Sequence, residues 1–139
     1  MRAAFVVEGP PVPWMRPAPR AAPARFAFPV HGEHAPYPGM RTQKKMRAYK
    51  KLVRSVVGLT MPRNWPLSAR YEVVVKPFFK DARRRDLDNI AKGVLDALTG
   101  VLWADDSQID RCLQVRGLDR ARPRLELEVT VLDSHHTAA

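Results

Sequence analysis

The sequence predicts an α+β fold in which a mixed β-sheet of four or five strands packs with two main helices. In several stretches apolar residues alternate with polar ones, which is typical of half-buried strands. In two others apolar residues recur every three or four positions, which is typical of amphipathic helices. A chain of 139 residues is long enough to bury a core of its own, and one domain is the expectation.

We expect this domain to span residues 1–133, with a proline-rich basic arm at 9–40 and a tail at 134–139. Ala3–Glu8 is the first predicted strand. The arm that follows it holds nine of the 13 prolines, and a loop of that length is usually functional or disordered. Arginines such as Arg16 make the arm polycationic, which favours contact with a polyanion. A floppy insertion is the alternative for its central part.

A first helix is predicted to begin after a cap at Thr42 and to end at Gly58. Its apolar stripe comprises Met46, Tyr49, Leu52, Val53, Val56 and Val57. Its opposite face carries six cations and no acid: Lys44, Lys45, Arg47, Lys50, Lys51 and Arg54. A run of charge is usually a solvated face, but six cations without an acid favour contact with phosphates.

The strongest strand signal is Leu67–Phe79, and a second strand follows Gln108. A last strand, Leu125–Val131, alternates apolar residues with Glu126 and Glu128, so it is expected to be half solvated.

Between these strands lies Arg83–Gln108, reading RRRDLDNIAKGVLDALTGVLWADDSQ. Its apolar residues predict an amphipathic helix of about three turns. Asp88 suits the N-cap of this helix, and Gly100 suits its C-terminal end. Trp103, in the short apolar run that follows, is expected in the core.

The same segment is acidic although the protein has a net charge of +10. Divalent cations such as Mg²⁺ take oxygen ligands from one or two carboxylates and keep waters for substrate phosphates. If the apolar run doubles back beside the start of the helix, Asp106 can meet Asp86 and Asp88. Taken singly, these residues would be ordinary helix caps and a turn.

The remaining polar residues of the segment have two readings each. Asp96 lies about 12 Å along the helix axis from Asp88, which favours a structural role or a place behind the metal ligands. Asp105 either lies behind the metal ligands in the same way or is only a turn residue. Lys92 either pairs with Asp88 or Asp96, or meets a phosphate beside the metal.

The pattern D-L-D-N-x-x-K-x-x-x-D-A-L-T-G, followed by an apolar run and D-D-S-Q, resembles the RusA family of Holliday-junction resolvases. The detailed match covers Asp86–Gln108, and a looser echo in the first strand and proline-rich turn suits the phage-type branch. The resemblance implies a homodimeric, Mg²⁺-dependent endonuclease that acts on branched DNA. By matching motif positions, the resemblance implies that Asp86, Asp88 and Asp106 are the essential carboxylates of the family. It likewise implies that Lys92 is the important lysine.

On this interpretation the DNA-binding cations lie on the arm, the first helix and the arginine-rich turn: Arg16, Arg20, Lys44, Lys45, Lys51, Arg83, Arg84 and Arg85. Symmetrical cutting of two strands needs two sites, which a C2 dimer supplies. Two other functions stay open. One is a DNA-binding module with idle carboxylates, and the other is a Mg²⁺ nuclease for flaps or RNA.

The chain has no apolar run long enough to span a membrane and no layout of a signal peptide. Its single cysteine, Cys112, fits a reducing compartment and is expected to be a small core residue. The expected location is the cytoplasm, without membrane contact.

Overall fold

The computed structural model describes residues 1–14 and 38–132, with the side chains of the first helix from Gln43 onward. The elements are β1 (Arg2–Glu8), α1 (Pro38–Thr60), β2 (Arg70–Phe79), α2 (Leu87–Leu98), a short 3-10 helix (Asp106–Gln108), β3 (Ile109–Gln114), β4 (Gly117–Leu118) and β5 (Arg124–Leu132).

The strands form one mixed sheet in the order β1-β5-β2-β3, with β4 continuing along β2. β5 pairs antiparallel with both β1 and β2, whereas β3 and β4 pair parallel with β2. Parallel neighbours need a crossover connection, and here α2 provides it between β2 and β3. The predicted α+β fold, with its mixed sheet and two main helices, is confirmed.

One face of the sheet builds the core. On β2 the alternate residues Tyr71, Val73 and Val75 are buried, and both α1 and α2 add apolar residues to the same cluster. The other face is half solvated, as expected for β5. It carries ion pairs such as Arg2 with Glu128, whose Nη2 and Oε2 atoms lie 2.8 Å apart.

The first helix is longer than the sequence predicts. It begins at Pro38, four residues before the predicted cap at Thr42, and ends at Thr60. Proline is well suited to a first helical position because its missing N–H has no partner there anyway. Leu52, expected in the buried stripe, is 43% exposed, whereas Val53 and Val57 are buried.

Several expectations concern residues outside the described ranges. Arg16, Arg20 and most of the proline-rich arm belong there, as does the tail at 134–139. The prediction that Cys112 is a core residue is wrong, because this thiol lies exposed on the edge strand β3. Neither helix in the described ranges has the length and apolar character needed to cross a membrane.

Candidate functional site

The N-terminus of α2 carries the first two aspartates of the motif. Asp86 is the N-cap, with extended backbone angles, and its Oδ1 accepts a hydrogen bond from the backbone N–H of Asp88 at 3.0 Å. The prediction that Asp88 is the N-cap is therefore wrong by two residues. Asp88 instead lies in the first turn, where the helix dipole favours a negative charge. Its exposed carboxylate has no ion pair or hydrogen bond with the described residues, so its oxygens are available to a ligand.

The other end of α2 is fastened to α1 by two cations that were expected to face solvent. The Arg54 guanidinium donates to the carbonyl oxygens of Ala97 at 2.7 Å and Thr99 at 2.9 Å. Lys50 forms an ion pair with Asp96. The last carbonyls of a helix lack partners within the helix and carry partial negative charge, which explains why a cation binds there. Gly100, at φ +87°, then ends the helix as predicted.

The apolar run after α2 is a buried link. Leu102 and Trp103 are fully buried, and the Trp65 indole donates to the carbonyl oxygen of Leu102 at 2.9 Å. The backbone N–H of Ala104 then reaches the carbonyl oxygen of Leu67 at 3.3 Å. The link therefore returns the chain to the start of β2, beside which β3 begins.

The D-D-S-Q turn that follows is held by its own capping box. The Asp105 side chain accepts from the N–H of Ser107 at 3.0 Å, and Gln108 Oε1 accepts from the N–H groups of Ala104 and Asp105 at 2.9 Å. Asp105 is thus the N-cap of the short helix, which supports the simpler of its two readings. Nothing in the motif reading of the sequence assigned Gln108 a role, although its position three residues after an aspartate is the capping-box pattern.

The pKa values of the two aspartates of this turn, Asp105 and Asp106, are shifted in opposite directions. The N–H of Ser107 is the main cause that lowers the pKa of Asp105. The pKa of Asp106 is raised, first by its hydrogen bond with Asp105, then by partial desolvation, and then by the negative charges of Asp105 and Asp96. A bound cation would relieve this repulsion, because an opposite charge favours the ionised form of a carboxyl group.

The structure does not bring the three candidate ligands together in one chain. Among the described residues, no three His, Cys, Asp or Glu side chains lie close enough to hold a metal ion. Asp86 and Asp88 lie at the N-terminal end of α2, whereas Asp106 feels the charge of Asp96, about 12 Å further along the helix axis. The connection returns the chain to the beginning of β2 instead of the beginning of α2. A metal site formed by all three carboxylates stays a prediction.

Lys92 takes neither of the ion pairs considered for it. It is exposed on α2, and Asp96, one turn further on, pairs with Lys50 instead. The Lys92 ammonium lies over the ring of Trp14, with Nζ 4.2 Å from the ring centroid. Trp14 itself lies half-buried against α2.

A basic surface is formed by cations on α1, which packs against α2, and on the turn that leads into α2. The exposed α1 cations with neither an ion pair nor a hydrogen bond in the described part of the chain are Lys44, Lys45, Arg47 and Lys51. In the arginine-rich turn Arg83 and Arg84 are exposed. Arg85 is held by Asp81, with Nη1 2.8 Å from Oδ1, and its guanidinium lies 4.4 Å from the centroid of the Phe79 ring. Of the three arginines, Arg85 therefore has the least freedom to contact a phosphate.

The sequence of this chain matches that of a known protein family. The family model described as Endodeoxyribonuclease RusA matches residues 8–130, which is most of the chain. The chain belongs to this family. The resemblance seen in the motif is thereby confirmed.

Among curated relatives, crossover junction endodeoxyribonuclease rusA of Enterobacteria phage HK97 is 42% identical over 67 residues, or 48% of this chain and 56% of the relative. Crossover junction endodeoxyribonuclease RusA of Escherichia coli strain K12 is 36% identical over 75 residues, or 53% of this chain and 56% of the relative. The protein of the same name from Enterobacteria phage 82 is also 36% identical over 75 residues. The chain thus spans about half the length of the curated relatives it matches.

Proposed function

We propose that this protein is an endonuclease that hydrolyses phosphodiester bonds of branched DNA, with the four-way junction as its substrate. The observation that carries the proposal is the exposed set of Asp88, Lys92 and Asp106 on α2 and the turn after it, within a chain of the RusA family. The relatives quoted above are named crossover junction endodeoxyribonucleases.

The proposed cofactor is Mg²⁺, and the donor chemistry of the site suits it. In the described part of the chain the Asp88 carboxylate has no hydrogen-bond or ion-pair partner. In the Asp86 carboxylate only Oδ1 takes part in the helix cap. Mg²⁺ is commonly bound through one or two carboxylates together with waters and substrate phosphates. When bound, it supplies an activated water and neutralises charge on the phosphoryl oxygens.

The chain's own residues have separate tasks in this proposal. Asp86 and Asp88 form one ligand pair, and Asp106 is the third carboxylate. Lys92 contacts the scissile phosphate as a compact positive charge. The exposed cations of α1 and the arginine-rich turn bind the DNA backbone, which fixes the position of the DNA without reading its sequence.

The proposed assembly is a C2 homodimer, because two strands of a junction are cut symmetrically by two equivalent sites. A dimer also contains each of these carboxylates twice. The second copy matters because, within one chain, Asp86 and Asp88 lie at one end of α2 and Asp106 lies towards the other. The mass of the particle, measured by light scattering at working concentration, tests the dimer.

The experiment that tests the function compares four labelled substrates, a four-way junction, a duplex, a flap and an RNA, each with and without Mg²⁺. We expect paired, symmetrical cuts in the junction, only with Mg²⁺, and no cuts with folded Asp88→Asn protein. Junction binding without any cleavage would identify a binding module instead. Preferred cleavage of the flap or the RNA would identify a nuclease of another specificity.

A further inference from the structure

Trp14, the last described residue of the first stretch, is docked on α2 by its backbone as well as its ring. Its N–H donates to the carbonyl oxygen of Asn89 at 3.0 Å. Its Cβ lies against Gly93, where an added Cβ would come within 3.3 Å of it. The glycine at position 93 permits this close approach, because a side chain there would require the segment to shift by a few tenths of an ångström or more. Trp14 therefore packs against the turn of α2 that carries Lys92.

The Lys92 side chain meets the face of this ring, and among the described residues it meets no carboxylate. Its Nζ is 4.2 Å from the ring centroid, within the range of a cation–π contact, and tryptophan is the best aromatic partner for a cation. Asp88 and Asp96 lie four residues away on either side, at positions from which a helix usually forms ion pairs. Neither forms one with Lys92, since Asp96 pairs with Lys50 and Asp88 has no ion pair in the described part of the chain.

We propose that Trp14 is a positioning residue that holds the Lys92 ammonium ready for a DNA phosphate, and this proposal rests on the function proposed above. A carboxylate partner would neutralise the lysine and occupy its N–H donors. A ring face attracts the cation but leaves its charge and most of its donors available. Because the lysine stem is long and flexible, restricting it in advance lowers the cost of ordering it when the substrate binds.

The test separates action through Lys92 from general support of the fold. In single-turnover cleavage of the four-way junction with Mg²⁺, we expect Trp14→Leu to lower the rate roughly 3- to 30-fold. Trp14→Phe should keep most of the rate, because a phenyl ring also binds a cation. Junction affinity without metal should change less than the rate, since the other phosphate contacts remain.

The decisive comparison is a double-mutant cycle with Lys92→Met. If Trp14 acts through Lys92, Trp14→Leu should cause no further loss in the Lys92→Met background. The matched control is Val12→Ala, which alters the same segment at a residue packed on the core and not on Lys92. Its effect should be the same in both backgrounds. Equal effects of Trp14→Leu in both backgrounds would overturn the proposal.

A second readout does not depend on cleavage. The rate at which an amine-specific acylating reagent modifies Lys92, relative to the exposed Lys80, should rise in Trp14→Leu and stay unchanged in Val12→Ala. An unchanged ratio in Trp14→Leu would show that the ring does not hold the lysine, even if Lys92→Met proved too inactive for the cycle. If the wild-type protein cut none of the four substrates, the proposed function would fail, while labelling would still report on the contact. Wild-type rates in Trp14→Leu would remove the Trp14 proposal alone.

Discussion

The Gln108 side-chain amide donates to the carbonyl oxygen of Leu67 at 2.9 Å, and thereby ties the turn that carries Asp106 to the chain just before β2. The same amide nitrogen donates to the carbonyl oxygen of Ala69 at 2.9 Å, and its oxygen accepts from two backbone N–H groups of the turn. One side chain therefore makes four hydrogen bonds that join two separate stretches of backbone. The position of Asp106 depends on this link.

Gln108→Leu keeps a similar volume but removes all four hydrogen bonds. We expect it to lower the free energy of unfolding by about 1–3 kcal/mol, because backbone groups are left without partners and water replaces them only in part. Junction cleavage should fall further than stability alone explains, since the turn with Asp106 is released. Urea denaturation and cleavage assays measure the two effects. The same chemical change at Gln114 on β3 is the control, and an equal loss there would contradict the assigned role.

Asp86 and Asp88 should respond differently to substitution although both are proposed ligands. Asp86→Ala removes the N-cap and should cost about 1 kcal/mol of stability, whereas Asp86→Asn keeps an acceptor for the N–H of Asp88 and should cost little. Asp88→Asn and Asp88→Ala should both leave the cap intact. All four variants should lose cleavage, and for the Asp88 variants junction affinity without metal should be unchanged or tighter. A folded Asp88→Asn protein that cleaves at the wild-type rate would remove the proposed site.

The ion pair of Asp119 with Arg124 predicts a pH dependence of stability. The Arg124 guanidinium, 2.7 Å from Asp119, is the main cause that lowers the pKa of this carboxyl below its ordinary value of 3.8. A lowered folded-state pKa stabilises the protein above the ordinary value, and the stabilisation is lost as the pH falls through the lowered value. Asp119→Asn keeps an acceptor for the N–H groups of Ala121 and Arg122 but loses the charge.

We therefore expect wild type to be more stable than Asp119→Asn at pH 7, with a difference that stays constant down to about pH 4 and vanishes below it. Thermal unfolding of both proteins across this range measures it. A difference that persists at pH 2 would mean that Asp119 acts through its hydrogen bonds and not through its charge.

Periodicity predicts most of this fold, because burial of one face of each element leaves a regular pattern in the sequence. The alternation around Val73 and the helical spacing from Leu87 to Leu98 both reflect the side that meets the core. The family and its motif are likewise readable, since they depend on residue type and spacing. Boundaries are less predictable. Asp86 and Asp88 are equally good caps by type, and only the path of the chain leaving β2 selects Asp86.

Contacts between elements distant in sequence were not predictable from either pattern. Lys50 and Arg54 look like solvent-facing cations of α1, yet α2 presents a carboxylate and unpaired carbonyl groups to them. Likewise, the sequence offered Lys92 two carboxylate partners on its own helix, while the structure pairs it with a tryptophan 78 positions earlier. Such pairings depend on how helices and loops dock, which no local pattern records.

The division of the α1 cations into fold-stabilising and exposed members gives a matched pair of variants. Arg54→Ala removes two hydrogen bonds to the C-terminal carbonyls of α2 and should lower the free energy of unfolding by about 1–2 kcal/mol. Lys51→Ala, three residues earlier on the exposed face, should change it by no more than about 0.5 kcal/mol.

Their effects on DNA binding should be the reverse. If half a dozen phosphates are neutralised, a plot of log affinity for duplex arms against log salt should have a slope steeper than about −5, at about −0.9 per contact. Lys51→Ala should make this slope shallower by about one unit because one phosphate contact is lost, whereas folded Arg54→Ala protein should keep the wild-type slope. Gel shifts over a series of salt concentrations, on preparations checked for folding, measure both. A wild-type slope near −1 would show that the basic surface does not bind DNA. A slope that became shallower only in Arg54→Ala would place the phosphate contacts where α1 and α2 meet.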